Sequence, residues 1–235
     1  MPIQKIHRKA GRAASQETEV KLRVADREAL LRQLAGIGAS YQGRVHETNT
    51  LYDTPDGSLR REGKLLRIRM EQPAERAKSS ARVPRESEKI HAALLTFKGP
   101  PRPERSKEFS GGRRYKIREE REVRVADGEV LARILEAMGL RPVFRYEKYR
   151  STFRLPRLPG VILDFDETPI GDFLEAEGAR AAIDRSAALL GYRPADYITE
   201  SYGELLLRET RHIKPSRKGK TPRSASRDML FPRKK

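Results

Sequence analysis

Apolar and charged residues alternate along several short stretches of this chain. In residues 17–24, Thr18, Val20, Leu22 and Val24 fall on one face, and Glu17, Glu19, Lys21 and Arg23 fall on the other. This period of two marks a strand. It recurs at 65–70, 93–98, 115–125, 146–153, 161–166 and 173–177. Two stretches switch to helical spacing. Leu30, Leu31 and Leu34 follow Asp26, and Leu131, Ile134, Leu135 and Met138 follow Asp127. In each the Asp is an N-cap and a Gly (Gly38, Gly139) a stop signal. Further helices are predicted at 179–190 and at 195–208, the second carrying Tyr197, Tyr202 and Leu205. Many strands with a few amphipathic helices predict an α+β fold, with helices packed outside a mainly antiparallel sheet.

The first strand–helix unit repeats. Residues 19–26 resemble residues 120–127, and Leu30, Leu34 and Gly38 match Leu131, Leu135 and Gly139 at the same offset of 101. Two such halves predict a pseudo-two-fold fold.

Like charges pair along single strand faces. Carboxylates do so at Glu17/Glu19, Glu120/Glu122, Asp164/Asp166 and Glu175/Glu177, and cations at Arg67/Arg69 and Lys148/Arg150. Arg118 joins the face of Glu120, and Lys98 ends its own strand. A sheet with one solvated face and cross-strand ion pairs is one reading. It explains poorly why carboxylates sit two apart on four strands. The alternative is a closed sheet of about eight strands, with charged faces inward around a polar lumen and apolar faces toward the helices. Clustered carboxylates are hard ligands for Mg²⁺ or Mn²⁺, and clustered Arg and Lys match phosphate oxygens.

Composition limits the alternatives. Cysteine is absent and the 4 His show no ligand spacing, which excludes thiolate sites and argues against zinc. No apolar run approaches the ~18 residues needed for a membrane-spanning helix, and the basic N-terminus lacks an apolar signal core, so a cytoplasmic protein without membrane contact is expected. The net charge of +17 is carried mostly by the ends: +4 in residues 1–15 and +9 in residues 211–235. These read as basic disordered tails flanking one folded unit at 16–210, with at most loose contact to nucleic acid or polyphosphate. Residues 72–90 and 99–114 read as loops.

Glu17-Thr-Glu-Val-Lys21 resembles the Glu-x-Glu-x-Lys signature of the CYTH superfamily, the triphosphate tunnel metalloenzymes. That group includes class IV adenylate cyclases, thiamine triphosphatases and inorganic triphosphatases. The ordered series strengthens the resemblance: Leu51-Tyr-Asp-Thr, Leu66-Arg-Ile-Arg69, Leu95-Thr-Phe-Lys98, Arg118-Glu-Glu-Arg-Glu122, Lys148-Tyr-Arg150, Asp166-Glu-Thr-Pro-Ile-Gly171 and Phe173-Leu-Glu-Ala-Glu-Gly178. It covers about residues 16–206. The resemblance implies an eight-stranded antiparallel tunnel and metal-dependent chemistry on a triphosphate-containing small molecule. By position, Glu17, Glu19, Glu175 and Glu177 would hold Mg²⁺ or Mn²⁺, with Asp164 or Asp166 completing the acidic wall. Lys21, Arg67, Arg69, Lys98, Arg118, Lys148 and Arg150 would bind the triphosphate. Lys21, Glu120 and Glu122 would serve the chemical step. A homodimer is implied by family analogy alone.

The resemblance leaves three activities open: a triphosphatase for tripolyphosphate or a small organic triphosphate, a class IV adenylate cyclase making cyclic AMP and pyrophosphate, and a non-catalytic polyphosphate-binding module. Leu51 stands where thiamine triphosphatases tend to carry Tyr, which argues against that specialisation.

Overall fold

The computed structural model describes residues 15–74, 93–102, 114–212 and 228–231. Residues 1–14, most of the 72–90 loop and most of the 99–114 loop lie outside the described residues.

Eight antiparallel strands close into a barrel. They are β1 (Ser15–Val24), β2 (Ser40–Asp53), β3 (Leu65–Pro73), β4 (Ala93–Lys98), β5 (Lys116–Val125), β6 (Arg141–Arg154), β7 (Ile162–Thr168) and β8 (Gly171–Glu177). The order around the barrel is β1-β5-β4-β3-β2-β6-β7-β8, and β8 pairs back onto β1. Closure removes the two free edge strands of an open sheet and separates an inner from an outer set of side chains on every strand.

The outer set is the apolar one. Val20, Leu22, Leu163, Phe165, Leu174 and Ala176 pack under α1 (Arg27–Gly36) and α4 (Arg180–Leu189), which contribute Leu30, Leu34, Ile183 and Ala187. A second cluster, Tyr52, Ile68 and Ala93, packs against Leu135 of α3 (Gly128–Ala137); the single turn α2 (Ser58–Arg61) links β2 to β3. Each such side chain, fully buried, contributes about 1.5–3 kcal/mol by leaving water. This apolar jacket drives closure and forces the alternating charged residues into the lumen.

The sequence repeat is exact in the fold. Adding 101 to the bounds of β1, α1 and β2 gives the bounds of β5, α3 and β6. Asp26 caps α1 by accepting from the Ala29 N–H, and Asp127 caps α3 by accepting from the equivalent Val130 N–H and also from the Glu129 N–H. The strand order is unchanged when β1–β4 and β5–β8 are exchanged, so the barrel is pseudo-two-fold. At the end of β8, Gly178 (φ +155°) lies so near β7 that a Cβ would stand 2.5 Å from the Gly160 oxygen, which explains the Gly closing Glu-Ala-Glu-Gly178.

Two expectations are corrected. The helix predicted at 195–208 starts later. Ile198 exchanges two backbone bonds with Lys21 (2.9 Å each), so the chain is extended there. A reciprocal Ser201–Glu204 capping box then opens α5 at Tyr202–His212. Within the segment read as a C-terminal tail, residues 228–231 dock on the barrel and Met229 is buried. The cause is an apolar Met-Leu-Phe run inside an otherwise basic segment.

Candidate active site

The inward faces of all eight strands converge on one buried lumen. Lys21, Glu47, Asn49, Arg67, Arg69, Thr96, Lys148, Arg150, Asp164 and Asp166 are each less than one tenth exposed, as is Glu17 at 9%. Such a concentration of buried charge is stable only where partners are close.

Those partners form a connected network. Lys98 Nζ reaches the Glu17 carboxylate at 2.5 and 2.7 Å and Glu120 at 3.3 Å. Lys21 Nζ lies 3.1 Å from Glu175 and 3.5 Å from Glu19, and Lys116 also stands 3.5 Å from Glu19. Arg150 is the hub of the opposite wall. It donates to both oxygens of Asp166 (2.7 and 2.6 Å), contacts Asp164 at 2.8 Å and bonds Glu175. Lys148 joins at Asp166 (2.8 Å). Arg67 donates to Thr96 Oγ1 at 3.1 Å, and Thr96 donates to Glu122 at 2.8 Å. Arg69 donates to Asn49 Oδ1 at 3.0 Å and stands 3.1 Å from Glu47. Glu177 faces Glu19 across the β1–β8 ladder. Arg118 faces Glu17 across β1–β5.

One end of the lumen is apolar. Tyr146, Phe173, Tyr202, Leu205 and Met229 cluster there. Tyr202, delivered by α5, donates its hydroxyl to Asp166 at 2.7 Å, with the ammonium groups of Lys21 and Lys148 at 5.1 and 5.2 Å from its ring. The Tyr146 hydroxyl accepts from Arg67 at 3.4 Å.

The electrostatics separate the carboxylates into two kinds. Burial pushes Glu19 and Glu175 upward, but the nearby cations, Lys21 foremost, overcome it and hold both below the usual carboxylate range. Glu17 is the reverse. Burial raises it, Lys98 pulls it down, and the carboxylates of Glu19 and Glu120 push it up again, leaving it above its ordinary value. Lys116 is lowered to about 8 by burial and by the charge of Lys21, against the pull of Glu19.

Among the described residues, no three Asp, Glu or His gather in metal-ligand geometry. The donor chemistry nevertheless fits a hard divalent cation. Glu17, Glu19 and Glu120 are oxygen donors that repel one another, and added positive charge there would relieve the repulsion that raises Glu17.

All the site residues named from the sequence line this barrel or its ladder ends. Among the lumen residues not singled out are Glu47, Asn49, Thr96 and Lys116. Lys116 shares the parity of Arg118 and Glu120, a signal the alternation already contained. Glu47 and Asn49 lie in the polar run of β2, where both faces lack an apolar pattern.

A closed barrel whose interior is lined by buried, paired charges defines a tunnel protein. The CYTH domain model matches residues 15–202, and the chain belongs to that family. No functionally curated protein matches it by sequence. Solved structures share its fold. A candidate adenylate cyclase from Vibrio parahaemolyticus is 22% identical with a TM-score of 0.63, over 83% of this chain and 99% of that one. A protein from Pyrococcus horikoshii is also 22% identical with a TM-score of 0.61, over 82% and 99%. A proposed adenylyl cyclase from Hippeastrum, described as revealing a dominant triphosphatase activity, is 16% identical with a TM-score of 0.53, over 85% and 98%.

Proposed function

We propose that this chain is a divalent-metal-dependent triphosphatase that binds tripolyphosphate or a small organic triphosphate in its tunnel. The observation that carries the reading is the convergence of cations and carboxylates, in near balance, on one buried lumen. A lumen built only to bind a polyanion would not need its acidic half. With that half present, an entering triphosphate displaces carboxylates from Lys and Arg, and the freed carboxylates favour cations that accompany the substrate.

In this reading Lys21, Arg67, Arg69, Lys98, Arg118, Lys148 and Arg150 grip the phosphate chain, with Lys116 beside them. Glu17, Glu19, Glu175 and Glu177 would hold Mg²⁺ or Mn²⁺. Such an ion, when bound, supplies charge neutralisation at the phosphoryl oxygens and lowers the barrier to nucleophilic attack. Asp164 and Asp166 aim Arg150 and Lys148 at the substrate. Glu120 and Glu122, held beside Lys98 and Thr96, stand where a carboxylate orients the attacking water and accepts its proton. Lys21 stabilises charge developing on the transferred group.

Product analysis tests this. Purified protein is incubated with tripolyphosphate or ATP and Mg²⁺ or Mn²⁺. Release of orthophosphate supports the triphosphatase. Cyclic AMP with pyrophosphate would establish the cyclase instead, and tight binding without product would establish a binding module.

A further inference from the structure

The C-terminal segment meets the barrel where the wall is incomplete. β6 is twice the length of β7, and the β7 ladder reaches only from Arg154 to Tyr149. Toward its N-terminal end, the β6 edge facing away from β2 therefore has no strand of the barrel beside it. Residues 228–231 fill that gap. Met229 donates to the Arg145 oxygen at 2.8 Å and accepts from the Glu147 N–H at 2.9 Å, a parallel bridge. Asp228 Oδ1 accepts from the Arg145 N–H at 2.9 Å. The Phe231 ring packs on Tyr149 at 5.3 Å between centroids. Unsatisfied strand edges recruit such segments.

Met229, 2% exposed, belongs to the cluster at the apolar end of the lumen. In that cluster are Tyr146, whose hydroxyl meets Arg67, and Tyr202, whose hydroxyl meets Asp166. Asp166 in turn aims Lys148 and Arg150. Met229 reaches these charged groups only indirectly, through the cluster that holds the two tyrosines.

We propose that residues 228–231 form a strap that positions the apolar end of the tunnel, holding Tyr146 and Tyr202 against Arg67 and Asp166, so that phosphate binding depends on a segment outside the CYTH match. The effect on substrate rests on the triphosphate reading above; the strap's hold on the tunnel end does not. Met229 is a positioning residue. It acts by packing: removing a buried methionine leaves a void that neighbouring side chains fill by moving, and its cluster here includes both tyrosines.

The test uses the full chain with Met229→Ser, and Met229→Leu as the volume-conserving control. Hydrogen–deuterium exchange reads the strap directly. Met229→Ser is expected to speed exchange about tenfold at Glu147 and through Tyr202–Arg208 while β1 and β8 keep their protection, the mark of local rather than global opening. With tripolyphosphate, KM is expected to rise about tenfold, the size expected for misplaced binding groups, with kcat changed far less. Met229→Leu should restore both. If Met229→Ser is too unstable to study, a chain ending at residue 227 removes the same contacts. Unchanged exchange in either variant overturns the strap. Unchanged KM with raised exchange overturns its role in binding. Should the native chain neither bind nor cleave tripolyphosphate, the functional reading fails, and the exchange result still decides the strap.

Discussion

Lys148 Nζ stands 3.5 Å from Glu47 Oε2, and the two residues face each other directly across the β2–β6 ladder. They are also equivalent positions of the two halves, 101 residues apart. Glu17 and Arg118 stand in the same relation across β1–β5. The pseudo-two-fold axis therefore passes through two register pairs whose members carry opposite charge. A symmetric ancestor would place identical residues there; complementary ones let the pair neutralise itself inside the lumen. The halves share a backbone, and the charge difference between them gives the tunnel distinct walls.

Glu47 holds three of the cations proposed to bind phosphate: Arg69 at 3.1 Å, Lys148 at 3.5 Å and Arg150 at 3.8 Å. Removing a buried charge leaves its partners uncompensated. Glu47→Ala should lower stability by about 3 kcal/mol, read from chemical denaturation, and Glu47→Gln by clearly less. A Glu47→Ala protein as stable as the native one would show that these cations are satisfied without it.

Glu19 lies between Lys21 and Lys116 and opposite Glu177. If Glu19 holds metal as proposed, its loss should cost at least about 100-fold in kcat/KM, the scale of removing one preorganised electrostatic group. Glu19→Ala is expected to retain a cooperative thermal transition. Near-native activity in this variant would remove Glu19 from the site.

Acid should unfold the barrel through its buried carboxylates. Burial raises Glu19, Glu47 and Glu175, but their cationic neighbours more than reverse it and hold all three below the ordinary value of 4.5. Their stabilisation is complete above pH 4.5 and is lost as pH falls through the lower folded-state values. Glu17, raised by burial, acts in the opposite sense: its contribution is present at low pH and lost as pH rises past its raised value. Three groups outweigh one, so the melting temperature should fall steadily below pH 4.5. Glu47→Gln should make that fall shallower; an identical slope would contradict the assignment.

Lys116 should titrate near neutrality in the free protein, with a midpoint of about 8, because burial and Lys21 disfavour its charge. Between 8 and the ordinary 10.5 the unfolded chain binds the proton that the folded chain has released, so this group makes folding more favourable as pH rises through that window. Side-chain nitrogen resonances followed by NMR, with Lys116→Met to assign the signal, would measure it. A midpoint above 10 would show that Glu19 outweighs burial.

The architecture was legible where two periodicities reinforced each other. In β1, β7 and β8, apolar residues on one parity and charged residues on the other state both the strand and its inward face; in β5 and β6 like charges two apart mark that face, and the 101-residue repeat states the symmetry. The N-terminal part of β2 was not legible, because Arg44-Val-His-Glu-Thr-Asn-Thr50 carries polar residues on both parities; its position is fixed by pairing with β3 and β6 rather than by its own pattern. This hid Glu47 and Asn49. The docking of Met229 was hidden for a related reason. Four residues within a basic segment carry too weak a local signal, and what selects them is an open edge of β6 that exists only after the barrel has formed. The late start of α5 likewise depends on a tertiary bridge between Ile198 and Lys21.

The most direct test of the tunnel account is a crystal structure with a non-hydrolysable imido analogue of tripolyphosphate and Mn²⁺, read by manganese anomalous scattering. The account predicts the phosphate chain inside the barrel, against Arg67, Arg69, Lys148 and Arg150, with manganese on the side of Glu17, Glu19, Glu175 and Glu177. An analogue bound on the outer surface, or manganese away from those four carboxylates while the lumen keeps its internal ion pairs, would contradict it.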